Sequence, residues 1–279
     1  RQLEEADAVA LICPDEPGAR FTLFVRPEDP KTALWTGRTV GVDGARRMYG
    51  ADEAYPLESF WKILAARLPG KKTVFVDFTA RREFLDKLLA LLAPFESGPA
   101  GRLPPTLSDI RPLLSRMRAI KDSTEIGLLR QAARISVSSF VEVMPRVRPG
   151  MYEYELEAII EYTFKKNGAR RNGFLPIIAS GPFSCVLHYN KNNRKINPGE
   201  IVVIDIGAEY RMYTADITRT IPISGKFSKR QKEIYNIVLK AHNEAINLIK
   251  PGIRKSEIHK KAVDVISEGL LNLGLIKNK

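Results

Sequence analysis

Two aspartates placed inside apolar runs carry the strongest chemical signal in this chain. Between Gly199 and Thr220, the run Ile201 to Ala208 is apolar apart from Asp205, and a second β-rich run, Tyr213 to Ile221, is interrupted by Asp216. A polar group buried without a partner costs several kcal/mol and an isolated charge costs more, so an acid at the centre of such a strand needs an explanation. If the two runs form a hairpin reversing near Tyr210-Arg211, Asp205 stands directly opposite Asp216. Opposed side chains have Cβ atoms about 4.5 to 5.5 Å apart, where like charges repel. A divalent cation between them removes the conflict, and two carboxylate oxygens suit Mn²⁺, Mg²⁺ or Zn²⁺. The competing reading pairs Asp216 with Arg219 or Arg211 and puts Asp205 at a strand end, and Tyr210-Arg211 is not favoured chemistry for a tight turn. Two carboxylates also do not close a catalytic metal site, which usually has three or more protein ligands. Of the three histidines, His242 and His259 lie on lysine-rich amphipathic patterns and read as surface residues. His188 precedes Asp205 by 17 residues and could reach the pair from an adjacent strand; site and structural roles are equally open to it.

The elements that must position these residues follow from periodicity and punctuation. Asp122 with Glu125 has capping-box spacing and opens a helix ending near Pro145; Pro149-Gly150 leads into a second, Tyr154 to Lys166, stopped by Gly168. Strands are expected over Gly173 to Ser180 and Ile201 to Ile223. The helix pair then returns. Ser228 with Gln231 caps a helix to about Ile249, Pro251-Gly252 follows, and Ser256 opens a helix to about Leu271. If the copies are duplicates, strands that follow the first pair have no counterpart after the second. Upstream, Ala8 to Cys13, Phe21 to Val25 and Thr73 to Phe78 read as strands, with helices over Leu57 to Leu68 and Arg81 to Leu92. The stretch Ser97 to Pro112, rich in Pro and Gly, reads as a connection without a long regular element.

Composition narrows the class. With 279 residues and 44% hydrophobic content the chain can bury a core, which excludes disorder as its main state. No apolar run approaches the roughly 18 to 20 residues that span a bilayer. Cys13 and Cys185 lack any C-x-x-C spacing, which excludes a disulfide scaffold and a thiolate metal site and fits a reducing cytoplasm. The formal charge of +12 is uneven: residues 1–110 carry 15 basic and 16 acidic side chains, and residues 111–279 carry 29 and 16. These basic clusters are spread over many elements without a nucleic-acid motif, so they read as solvated surface.

His188-Tyr189-Asn190, Pro198-Gly199-Glu200, Asp205-Ile-Gly-Ala-Glu-Tyr210 and Ala215-Asp216-Ile-Thr-Arg-Thr220, in this order and spacing, resemble the pita-bread metallopeptidases of the Xaa-Pro aminopeptidase and Xaa-Pro dipeptidase branch. Leu23 to Pro30, Leu34 to Arg38 and Tyr49 to Pro56 resemble the creatinase-type N-terminal domain of aminopeptidase P, which favours the aminopeptidase. The implied fold is an α/β N-terminal domain, residues 1–112 with its linker, followed by an α+β pita-bread catalytic domain, residues 113–279, incomplete. The resemblance implies that Asp205 and Asp216 are two of five ligands to a pair of divalent metal ions, usually Mn²⁺, with Asp216 bridging both. It gives His188 the role of hydrogen-bonding substrate or the tetrahedral intermediate. The implied substrate is a peptide with proline in second position, cleaved before the proline by a hydroxide held between the ions. Proline's nitrogen is tertiary and carries no hydrogen, which calls for a dedicated pocket. The family's later histidine and two glutamates find no match before Lys279, and its first strand and helix find none ahead of Asp7. The expectation is therefore a chain truncated at both ends and inactive as it stands. Xaa-Pro dipeptidase, or a non-catalytic pita-bread protein that binds a partner, are the alternatives; no membrane or nucleic-acid partner is implied, and a homo-oligomer stays open.

Overall fold

The computed structural model describes residues 7–93 and 106–278. The chain divides into two compact units, 1–121 and 122–279.

In the first unit, β1 (Val9–Ile12) and β2 (Phe21–Val25) form an antiparallel hairpin, closed where the Cys13 N–H donates to the Arg20 carbonyl at 2.9 Å. β2 also pairs in parallel with β3 (Glu53–Pro56). A parallel pairing needs a crossover. Here it is made by α1 (Pro30–Thr36), capped by Asp29, and α2 (Gly41–Tyr49), two helices beyond those expected above. α3 (Phe60–Arg67) and α4 (Arg82–Leu92) pack Phe60, Leu64, Leu88 and Leu92 around Phe24. β4 (Thr73–Val76) pairs in parallel with β5 (Thr106–Asp109), and α5 (Arg111–Ala119) follows. The stretch Ser97 to Pro112, expected as a connection without a long regular element, carries the four-residue β5 and the start of α5 in its second part. Pro112 sits in the first turn of α5, where a missing N–H costs nothing. Residues 97–105 of that expected connection lie outside the described residues.

The second unit opens with α6 (Ser123–Val143), whose capping box is formed as expected: the Asp122 and Glu125 side chains each accept the other's backbone N–H at 2.8 Å. After Pro149-Gly150 comes α7 (Glu153–Lys166). The strands are β6 (Arg171–Asn172), β7 (Ile177–Ser180), β8 (Ile201–Ile206), β9 (Ala208–Tyr210), β10 (Tyr213–Thr214) and β11 (Ile217–Pro222). They form two antiparallel sheets, β10-β9-β6 and β11-β8-β7. Only part of the expected strand over Gly173 to Ser180 is extended ladder. β8 alternates: Val202, Ile204 and Ile206 are fully buried, with Ile135, Leu156, Ile160 and Phe164 of α6 and α7 in the same core. Ile201, Val203 and Asp205 are half-buried on the other face. What reads as a continuous apolar run is a two-faced strand, and Asp205 belongs to the face away from α6 and α7.

α8 (Lys229–Leu248) and α9 (Lys255–Asn272) form the second helix pair. Ser228 and Gln231 cap α8 reciprocally. α9 begins one residue before the expected Ser256, because Glu257 accepts the Arg254 N–H at 3.0 Å and makes Arg254 the N-cap. The two helices approach closely at Gly269, where a Cβ would lie 2.6 Å from Ile237.

Candidate functional site

The hairpin that carries the two aspartates differs from its expected register by two residues. The reversal is at Arg211-Met212, both in the left-handed region (φ 49° and 69°), with Tyr210 paired to Tyr213. Two consecutive positive φ angles are what a tight right-twisting hairpin requires. Asp205 therefore pairs with Thr218, whose hydroxyl donates to its carboxylate at 2.8 Å, and Asp216 falls opposite Gly207. The direct opposition of Asp205 and Asp216 is corrected to a diagonal one. Because the shift is by an even number, both acids keep the same face. A diagonal neighbour is about 7 to 8 Å away rather than 4.5 to 5.5 Å, which eases like-charge repulsion and leaves room for an ion.

Gly207 makes this diagonal possible. The ladder breaks there, between β8 and β9 on one side and β10 and β11 on the other. A Cβ on Gly207 would lie 1.7 Å from the Ala215 carbonyl oxygen, so every other residue displaces the backbone of Ala215-Asp216. The break is pinned from the helix side. The Ala208 N–H donates to the Ser136 hydroxyl of α6 at 2.9 Å, while that hydroxyl donates to the Ala132 carbonyl at 3.0 Å.

Asp205, Asp216, His188 and Asn190 line one open cleft of about 470 Å³ whose remaining wall is Phe174, Leu175 and Ile177. His188 is exposed and sits on a loop after the short 3₁₀ turn Gly181–Cys185, so it reaches the cleft from a loop rather than from an adjacent strand. His242 and His259 are exposed on α8 and α9, as their patterns imply. Neither acid is held in an ion pair among the described residues: Arg219 donates to the Thr218 carbonyl at 2.7 Å and the Arg211 guanidinium lies over the Tyr210 ring. The salt-bridge alternative for Asp216 is thereby excluded. The pair offers hard oxygen donors suited to a divalent cation, but among the described residues no group of three or more His, Cys, Asp or Glu converges to complete a shell.

Behind the cleft lies a polar network that periodicity does not reveal. Glu153, fully buried in the first turn of α7, accepts from the Ser180 N–H and hydroxyl, the Tyr189 hydroxyl and the Arg194 N–H, all within 2.7 to 2.9 Å. Asn192, at φ 47°, accepts from the Ile178 N–H at 3.0 Å and donates to Glu157 and the Pro176 carbonyl at 2.9 Å. Arg194 forks onto both oxygens of Glu200 at 2.7 and 2.6 Å, and its hydrogen bonds pull the Glu200 carboxyl down to about 2. Burial raises the Tyr189 phenol, with the Glu153 hydrogen bond acting in the same direction. The sequence offered one signal for this network: the Pro198-Gly199-Glu200 and His188-Tyr189-Asn190 runs, which here prove to be its two ends.

Comparison with known proteins gives consistent likenesses. Residues 127–277 match metallopeptidase family M24, and residues 3–75 match the aminopeptidase P N-terminal domain. The chain is 36% identical to the Xaa-Pro aminopeptidase of Haemophilus influenzae, over 98% of the chain and 61% of that protein. Against the Xaa-Pro aminopeptidase of Escherichia coli it is 35% identical over 98% of the chain and 63% of that protein. Among solved structures, aminopeptidase PepP of Pseudomonas aeruginosa superposes with a TM-score of 0.93 at 37% identity, covering 98% of this chain and 62% of that one. The chain thus spans about 61 to 63% of the length of these relatives.

Proposed function

The chain belongs to metallopeptidase family M24, and from that membership we propose that it serves a metal-dependent Xaa-Pro aminopeptidase, which hydrolyses the peptide bond before a proline in second position. The observation that carries this reading is the placing of Asp205, Asp216 and His188 in one cleft, with neither carboxylate in an ion pair among the described residues. The match of residues 3–75 to the aminopeptidase P N-terminal domain favours the aminopeptidase over the dipeptidase.

In this reading Asp205 and Asp216 hold divalent metal, Mn²⁺ in the first instance, as oxygen ligands from one sheet face. When bound, the metal supplies Lewis acidity toward the scissile carbonyl and orients the attacking water. Thr218 holds the Asp205 carboxylate through its hydroxyl at 2.8 Å, which fixes the orientation of the remaining lone pairs. His188, in the same cleft, would hydrogen-bond the substrate carbonyl as charge develops on its oxygen. Phe174, Leu175 and Ile177 give the peptide an apolar wall, suited to the proline ring, which offers no N–H.

Two carboxylates alone do not complete a catalytic shell, so the 279-residue chain is expected to show no measurable turnover by itself. The test uses a protein that carries this chain over the full length of its relatives. Mn²⁺-dependent release of the first residue from an Xaa-Pro-Xaa peptide should occur and should disappear in Asp216→Asn. Undiminished turnover in that variant contradicts the metal assignment.

A further inference from the structure

We propose that Glu153 is a positioning residue for the cleft, holding the wall that carries His188 and Asn190 at a fixed distance from the aspartate pair; this rests on the reading of the cleft given above. Glu153 lies at the start of α7 and is completely buried. An ionised carboxylate is an acceptor only, with about four lone-pair sites. Four donors fill them: the Ser180 N–H at 2.8 Å and hydroxyl at 2.7 Å on Oε1, and the Tyr189 hydroxyl at 2.8 Å and Arg194 N–H at 2.9 Å on Oε2.

What those donors belong to sets the role apart from ordinary core satisfaction. Ser180 ends β7, the strand that pairs Ile177 with Asp205 and so abuts the metal face. Tyr189 and Arg194 bracket the irregular segment that directly follows His188 and contains Asn190. Each carboxylate oxygen therefore grips one wall, Oε1 the strand beside Asp205 and Oε2 the loop beside His188. Arg194 closes the same ring from outside, donating to the Ser180 hydroxyl at 2.7 Å and to Glu200. The Tyr189 ring is further stacked on Phe183 at 4.7 Å, and it packs with Ile177, Ala179 and Val203 on the site face of the sheet. Apart from these contacts, His188 itself is exposed, so its position is inherited from its neighbours.

Glu153→Gln keeps the shape but turns one oxygen into a donor, which then faces the Arg194 N–H or the Ser180 N–H. The experiment uses the 279-residue chain labelled with ¹⁵N and with ¹³C at histidine Cε1, with Mn²⁺ as a paramagnetic probe at the aspartate pair. In Glu153→Gln the amide that faces the new NH2 group, Arg194 or Ser180, should exchange about tenfold faster, the loss expected for one hydrogen bond. Mn²⁺ broadening of the His188 signal should fall while that of the Ile206 amide, beside Asp205, persists; His242 and His259 should keep their wild-type shifts. A folded Glu153→Gln with wild-type exchange at both Arg194 and Ser180 and an unchanged His188 to Ile206 broadening ratio overturns the proposal. Should that variant not fold, Tyr189→Phe removes only the loop-side hydroxyl and carries the broadening readout, with an unchanged His188 to Ile206 ratio again decisive. If Mn²⁺ broadens nothing in the wild type, the metal reading fails, and the exchange rates of Tyr189, Asn190 and Arg194 decide the positioning role on their own.

Discussion

The second unit contains two helix pairs built to one plan and used differently. α6–α7 and α8–α9 each begin with a reciprocal capping box, turn at Pro-Gly and present an amphipathic second helix. In the first pair, Ile135, Phe140, Val143, Leu156, Ile160 and Phe164 are buried in one core with the sheet. In the second, Ala241 and Val265 are the buried side chains, while Val238, Leu239, Ile246 and Val263 are at least 43% exposed. Local sequence signals fix where a helix starts and stops; burial is what converts the helix into stability. The first pair also reaches the chemistry, through Ser136 at the Gly207 break and Glu153 behind the His188 loop. Among the described residues the second pair touches only the edge of that network, where the Gln231 side-chain amide donates to the Gly199 carbonyl at 2.9 Å beside Glu200.

This contrast can be broken at several points. Phe164→Ala should destabilise the second unit by about 3 to 5 kcal/mol, because it empties a buried site in the first pair. Leu239→Ala, 43% exposed on the second pair, should stay within about 0.5 kcal/mol. Urea melts followed by circular dichroism at helical wavelengths check both, and equal losses would erase the distinction between the pairs. Arg194→Met should cost on the order of 2 kcal/mol, since it leaves a half-buried Glu200 without its fork. The same ion pair has a pH signature. Glu200 is depressed in the fold to about 2 from an ordinary value of 4.5, so its contribution is fully present above about 4.5 and is lost as pH falls toward about 2. Acid titration of stability should show that loss in the wild type and a smaller one in Arg194→Met; identical profiles would remove Glu200 from the wall. The counterpart in the second pair is exposed Lys261–Glu244 at 2.6 Å, and Lys261→Ala should leave the Tm where it was.

How much of this could be read from residues alone depended on the range of the interaction. Caps and helix spans were legible because Asp122, Glu125, Ser228 and Gln231 act within one turn of their own helices. The shared face of Asp205 and Asp216 was legible because parity survives an even slip in register. Their direct opposition was not, because the reversal falls at Arg211-Met212, two side chains with no intrinsic preference for positive φ that are held there by the strands on either side. α1 and α2 escaped notice because one is short and the other opens on Gly41. Glu153 was hidden for a different reason: on a helix its spacing is that of any solvated first-turn acid, and only the fold brings Ser180, Tyr189 and Arg194 to it.

Mn²⁺ titration of the 279-residue chain, followed by paramagnetic broadening at Ile177, Ile206 and His188, tests the assignment of the cleft most directly. Weak, saturable broadening confined to these residues and abolished in Asp216→Asn is the expected result. Broadening of the same size in Asp216→Asn, or none in the wild type, would contradict the placing of a divalent metal between Asp205 and Asp216.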